Sequence, residues 1–256
     1  MKSPLRYPGG KTRAIPILKE YMQREYPSRR QLLSPFLGGG SFELSCLELG
    51  YTVFANDLFH PLYVFWSVLK ENHTQLQNAV SSALPVTKEA FTKLRTTIMS
   101  LDSMLEIAAS YFIVNRCSFS GATFCGGFSQ QASEKRLTTS SIERLGKLDL
   151  SNMTLSNFDA VEFLKQHPET DNTVIYADPP YYISTYIYGK DGDMHEGFDH
   201  KGFADYIRSR KDWILSYNDC EYIRELYSGC RIQTEKWAYG MNASKPSTEI
   251  IILPPL

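Results

Sequence analysis

Five consecutive residues, Thr173-Val174-Ile175-Tyr176-Ala177, run straight into Asp178-Pro179-Pro180-Tyr181. The first five are β-branched, aromatic or small and read as a buried strand. The acid then stands where a central strand ends, the place where open α/β sheets put their ligands. Two prolines stiffen the turn and bring no N–H of their own. A proline-rich turn that merely closes a strand is the plainer alternative, and the neighbouring elements must decide between the two.

Those neighbours alternate. Ile15, Leu18, Tyr21 and Met22 give helical spacing over Ile15 to Tyr26, followed by a strand from Gln31 that leads through Pro35-Phe36 into Leu37-Gly38-Gly39-Gly40 and a helix from Ser41 to Leu49. A second strand, Thr52 to Ala55, ends at Asn56-Asp57. Residues 58 to about 110 read as helices, with Pro85 breaking the run, and the stripe Leu62, Phe65, Trp66, Leu69 is read as core. Further strands are predicted at Met153 to Leu155, Trp213 to Tyr217, Arg231 to Thr234 and Glu249 to Leu253, with helices after Asp159, around Phe203 and from Glu221. Strands alternating with helices on both sides of Asp178 predict a mostly parallel α/β sheet.

Charge is nearly balanced, 27 basic against 28 acidic residues, so any nucleic-acid contact must rest on a local patch. Five cysteines without a C-x-x-C spacing disfavour a metal site or disulfide framework and fit a reducing compartment. The N-terminus lacks an apolar leader and no apolar run approaches the length of a membrane span, so a soluble, cytoplasmic protein is expected.

Three stretches can carry chemistry. Glycines at 38 and 40 let backbone approach a ligand, and the helix that follows favours polar or anionic groups at its start. Asp57, about twenty residues on, stands where Rossmann-like folds hold a ribose diol. The turn is not G-x-G-x-x-G, which argues against a dinucleotide. Asp178 and a backbone carbonyl could accept hydrogen bonds from an aromatic amine, with Tyr181 offering a face for the base. From Asn115 the chain turns small, polar and aromatic, with Gly126-Gly127, and reads as a hairpin or irregular loop.

Taken in order, these residues resemble the Dam-like class of DNA N6-adenine methyltransferases over nearly the whole chain. Tyr7-Pro8-Gly9-Gly10-Lys11 looks like the family's N-terminal element, Pro35 to Gly40 like its cofactor loop, and Asp178-Pro179-Pro180-Tyr181 like its catalytic motif. The resemblance implies a Rossmann-like, seven-stranded, mostly parallel methyltransferase sheet with a helical or hairpin target-recognition insertion. It places the catalytic domain in 1–57 and 150–256 and the insertion in 58–149. S-adenosylmethionine is the implied cofactor, touched by Tyr7, Gly10, Lys11, Phe36, Gly38, Gly40, Asp57, Asp159 and Asp178. The implied substrate is an adenine flipped out of double-stranded DNA. Arg116, Phe119, Phe124, Gln130, Gln131, Lys135 and Arg136 are the candidate DNA contacts, and a cognate restriction endonuclease is a candidate partner.

One position departs from the pattern. Ser34 stands where the family carries an acid that helps to hold the methionine end of the cofactor. This leaves either a weaker hold or another acid in its place. Transfer to cytosine N4 or another amino group, and a DNA-binding relative without catalysis, are the alternative readings. The Asp at 178 weighs against the first, and intact Asp57 and Asp178 weigh against the second.

Overall fold

The computed structural model describes residues 1–7, 10–182, 197–237 and 247–256. Pro8-Gly9 of the N-terminal turn and the polar stretch from Tyr186 to His195 lie outside them. Among the described residues seven strands form one sheet in the order β3-β2-β1-β4-β5-β7-β6. The strands are β1 (Gln31–Ser34), β2 (Thr52–Asn56), β3 (Met153–Ser156), β4 (Thr173–Ala177), β5 (Trp213–Asn218), β6 (Arg231–Trp237) and β7 (Ser247–Leu253). The first five pair in parallel, whereas β7 runs antiparallel to both β5 and β6.

The β4 strand is buried at every position, which explains its unbroken apolar sequence: a parallel strand with both faces covered needs no polar alternation. Its neighbours on the two faces form separate clusters. Leu32, Val174 and Ile214 face one way and Leu33, Ile175 and Leu215 the other. On the second face lie α8 (Ala160–Gln166), α9 (His200–Ile207) and α10 (Glu221–Leu226), which contribute Phe163, Phe203 and Ile223. On the first lie α1 (Ile15–Glu25) and α2 (Ser41–Glu48).

The stretch between β2 and β3 is helical. It contains α3 (His60–Ser82), whose backbone breaks at Asn72, α4 (Lys88–Thr97), α5 (Met104–Cys117), α6 (Gln130–Arg136) and α7 (Thr139–Glu143). Every residue of α5 from Ile107 to Cys117 is buried, so this helix forms the axis of the insertion. Phe65 of α3 stacks on Phe112 of α5 at 5.8 Å. These residues share one apolar cluster with Val53 and Ala55 of β2. The segment 58–149 thus shares its apolar cluster with the sheet.

Of the hairpin or irregular loop expected after Asn115, the structure forms the irregular loop. A single bridge joins Ser118 to Phe128, and the chain between forms two short 3₁₀ turns, Phe119–Gly121 and Thr123–Cys125. Ser120 and Thr123 take positive φ, a conformation that ends strand pairing. The Ser118 hydroxyl accepts from Thr123 N at 3.0 Å and Asn115 donates to the Thr123 hydroxyl at 2.9 Å, so side chains hold the loop where a ladder would.

Candidate active site

The strand order reverses between β1 and β4. At that switch point, outside the carboxyl ends of the strands, a cavity of about 600 Å³ opens, within the usual size for a small-molecule site. Gly38 and Gly40, at φ +51° and +64°, shape its glycine turn. Tyr7 lies across the turn, and a Cβ at Gly39 would come within 2.8 Å of it. The carboxylate of Asp57 accepts from Gly38 N at 2.9 Å and from Phe59 N at 3.0 Å. Burial lifts its pKa to about 6 against those two bonds. Asn56 staples three strand ends together. Its amide donates to Pro35 O and Phe158 O, and its carbonyl accepts from Phe158 N. Asp159 caps α8, accepting from Val161 N at 2.9 Å.

A buried polar cluster floors the other end. Lys11, in the turn that closes on Tyr7 O through Gly10 N, reaches Asp178 Oδ1 at 2.7 Å and donates to the Tyr181 hydroxyl at 2.7 Å. It also stands 3.7 Å from Glu249 Oε2. Burial opposes the lysine charge, but Asp178 and Glu249 together outweigh it and hold the ammonium above its usual range. Ser216 donates to the same Oδ1 at 2.9 Å, and the Tyr176 hydroxyl in turn lies 3.0 Å from Ser216. Both of these contacts to Asp178 fall on Oδ1, and the residue lines the cavity. Ser34 donates to Glu43 Oε1 at 2.7 Å, and burial raises the Glu43 pKa to about 7.

The lining chemistry fits a cationic nucleoside. Among the described residues six carboxylates (Glu43, Asp57, Asp159, Glu162, Asp178 and Asp199) and one lysine face the cavity. Phe36, Leu58, Phe59, Val161 and Phe198 supply apolar walls, and Phe36 is braced edge-on by Phe198 and Phe203.

The family model for D12 class N6 adenine-specific DNA methyltransferases matches residues 7–241. The chain belongs to that family. No individually curated protein matches it. Its activity is transfer of a methyl group from S-adenosylmethionine to the N6 of adenine in DNA, on a Rossmann-like methyltransferase fold. No described helix is long and apolar enough to cross a membrane.

The cavity gathers Tyr7, Gly10, Lys11, Phe36, Gly38, Gly40, Asp57, Asp159 and Asp178, together with Pro180. Tyr181 differs from the stacking face expected of it. The residue is 9 % exposed and packs in the second cluster, with its hydroxyl held by Lys11. Pro179 is buried behind it.

The methyltransferase's recognition residues divide sharply. Phe119 is 68 % exposed, and Gln130, Gln131, Lys135 and Arg136 are exposed along α6. Gln130 donates to Glu134 at 2.8 Å. Two of the candidate contacts are buried. Arg116 is buried on α5, where it donates to Arg136 O and Pro4 O; burial, then Arg144, Arg6 and Arg136, lower its pKa to about 10. Phe124, 2 % exposed, packs edge-on to Phe59 at 5.5 Å. Arg6 was not singled out by sequence, yet the structure sets it within repelling range of Arg136, where it donates to Ser118 O at 3.2 Å. Asn115 joins the two segments, accepting from Arg6 N at 2.9 Å and donating to Arg6 O.

Proposed function

We propose that this methyltransferase works on an adenine swung out of double-stranded DNA in the cytoplasm, with Asp178 as the residue that meets the reacting nitrogen. The observation that carries this reading is the orientation of Asp178 at the switch point. Lys11 and Ser216 occupy Oδ1 and fix the carboxylate, which leaves Oδ2 to accept from the N6 amine. An aromatic amine is a weak nucleophile because its lone pair is delocalised into the ring. Hydrogen bonds from N6 to Asp178 and to a backbone carbonyl of the rigid Pro179-Pro180 turn favour a more tetrahedral nitrogen.

S-adenosylmethionine, when bound, supplies a sulfonium methyl, so formation of the N6–C bond breaks a C–S bond and frees one N6 proton. Asp178 would orient and polarise the amine, and the freed proton passes to solvent. Asp57 would hold the ribose hydroxyls, Asp159 the adenine of the cofactor, and Tyr7, Gly10, Gly38 and Gly40 the turn against which it lies. Phe36 would pack on its apolar part. Tyr181 supports the reaction by fixing Lys11.

A base inside a duplex cannot reach the floor of this cavity and must be extruded at a cost of a few kcal/mol. Phe119 is the exposed aromatic suited to the gap left behind. Gln130, Gln131 and Arg136 would read base edges and Lys135 phosphate. The Arg6, Arg136 and Arg144 side chains concentrate positive charge beside this segment, which offsets the lack of net charge on the chain. The test is Asp178→Ala. Methyl transfer should be lost while equilibrium dialysis shows S-adenosylmethionine still bound. Transfer surviving in that variant would remove Asp178 from the chemistry.

A further inference from the structure

The end of β1 carries Ser34, a residue without charge, yet a carboxylate is present at that spot. The Ser34 hydroxyl donates to Glu43 Oε1 at 2.7 Å, which brings a side chain from the third residue of α2 beside the strand end. Glu43 is 3 % exposed and lines the same cavity as Lys11 and Asp178. No described cation forms an ion pair with it, and Lys11 is committed to Asp178 and Glu249. The Lys11 charge acts on Glu43 but burial outweighs it, and a buried carboxylate that lines a ligand cavity without a directly paired cation is costly unless a ligand supplies that charge.

We propose that Glu43, set by Ser34, holds the α-ammonium of the amino-acid end of S-adenosylmethionine and so restores from helix α2 the carboxylate that β1 lacks. The proposal rests on the reading that the cofactor occupies this cavity. The methyl must reach Asp178, and Asp57 and Asp159 take the nucleoside at the ends of β2 and β3. The amino-acid end is then left to the side where Glu43 lies. The groups facing Glu43 are Ser34 from β1, Tyr176 and Asp178 from β4, Lys11 from the N-terminal turn and Cys46 on its own helix. Burial first, with Asp178 adding to it, raises the pKa of Glu43 to about 7. Capture of an ammonium would therefore expel a proton near neutrality.

Titration with two unreactive nucleosides tests this. S-adenosylhomocysteine carries the amino-acid end and 5′-methylthioadenosine lacks it. Glu43→Gln, which keeps the shape and can still accept from Ser34, should weaken S-adenosylhomocysteine by about 10- to 100-fold, the range for a charged hydrogen bond. Binding of methylthioadenosine should stay within about twofold. Moving the carboxylate back to the strand, Ser34→Asp together with Glu43→Ser, should recover most of the loss. Wild-type affinity for S-adenosylhomocysteine should rise between pH 6 and 8, with proton release in calorimetry, and Glu43→Gln should flatten that dependence. Equal losses for both nucleosides, or none for S-adenosylhomocysteine, would overturn the assignment and leave the cofactor site standing. A wild-type chain that bound neither nucleoside would remove the site itself.

Discussion

The strand-end cluster and the segment from Phe119 to Arg136 are built on opposite plans. Around Lys11 the polar groups are buried or half-buried and aimed at one another: Asp178, Tyr181 and Glu249 all converge on one ammonium. Along the segment the backbone is what is fixed. Phe119 N donates to Gly127 O at 2.8 Å and Ser129 N to Cys117 O at 2.9 Å, while Phe119, Gln131, Lys135 and Arg136 are left in solvent. Methyl transfer needs atoms held within fractions of an ångström. Reading DNA needs side chains free to reach a partner. The two plans imply that substitutions in the first region will cost stability and chemistry together, whereas those at the exposed side chains of the second will spare stability and change how DNA is read.

The largest effects should come from the cluster. Lys11→Met removes the ammonium that Asp178 and Glu249 share and should destabilise the fold by about 3–5 kcal/mol, measured by denaturant unfolding. A near-neutral result would mean that the cluster is wetter than its burial indicates. Phe124 and Phe119 sharpen the contrast within one loop. Phe124→Ala should also cost about 3–5 kcal/mol through the cavity it leaves. Phe119→Ala should change stability by less than about 0.5 kcal/mol and alter the methylation rate on a panel of one-base site variants. If the two variants behaved alike, the division between buried and reading residues in this loop would fail.

The protonation of Glu43 gives a third handle. Its pKa is about 7 in the folded chain against an ordinary 4.5, so the folded state binds the proton more tightly. Its contribution to stability is therefore complete below about pH 4.5 and lost as pH rises through about 7, on the order of 3 kcal/mol in all. Asp57, raised to about 6, acts in the same direction. The cofactor-free protein should show falling unfolding midpoints across this window, and Glu43→Gln should remove part of the slope. A smaller effect is expected from Asp57→Ala, which should weaken S-adenosylmethionine by about 1–3 kcal/mol in equilibrium dialysis. Smallest of all, Lys135→Ala should weaken every DNA sequence alike and reduce the salt slope by about one unit.

The parts of this design that sequence reveals are those in which backbone geometry dictates the residue. Gly38 and Gly40 are required by positive φ. Asp57, Asp159 and Asp178 stand at strand ends, which the apolar runs before them mark out. Arg116 and Phe124 are buried, which their stretch does not announce, because their direction depends on how α5 docks, and a polar, aromatic stretch looks the same facing inward or outward. Arg116 follows Asn115 on a helix buried on all sides, a setting that no local pattern announces. Glu43 was missed for a related reason. On its own it is an acid in the first turn of a helix, and only its contact with Ser34 gives it meaning. Glu249 sits in a strand that pairs on both sides, and its charge makes sense only once Lys11 arrives from the other end of the chain.

The central claim is that this cluster methylates adenine N6, and the product itself tests it most directly. Duplex DNA incubated with the purified protein and S-adenosylmethionine, then digested to nucleosides and resolved by mass spectrometry, should yield N6-methyladenine. Finding N4-methylcytosine in its place would contradict the account, because the site around Asp178 would then serve a different amine.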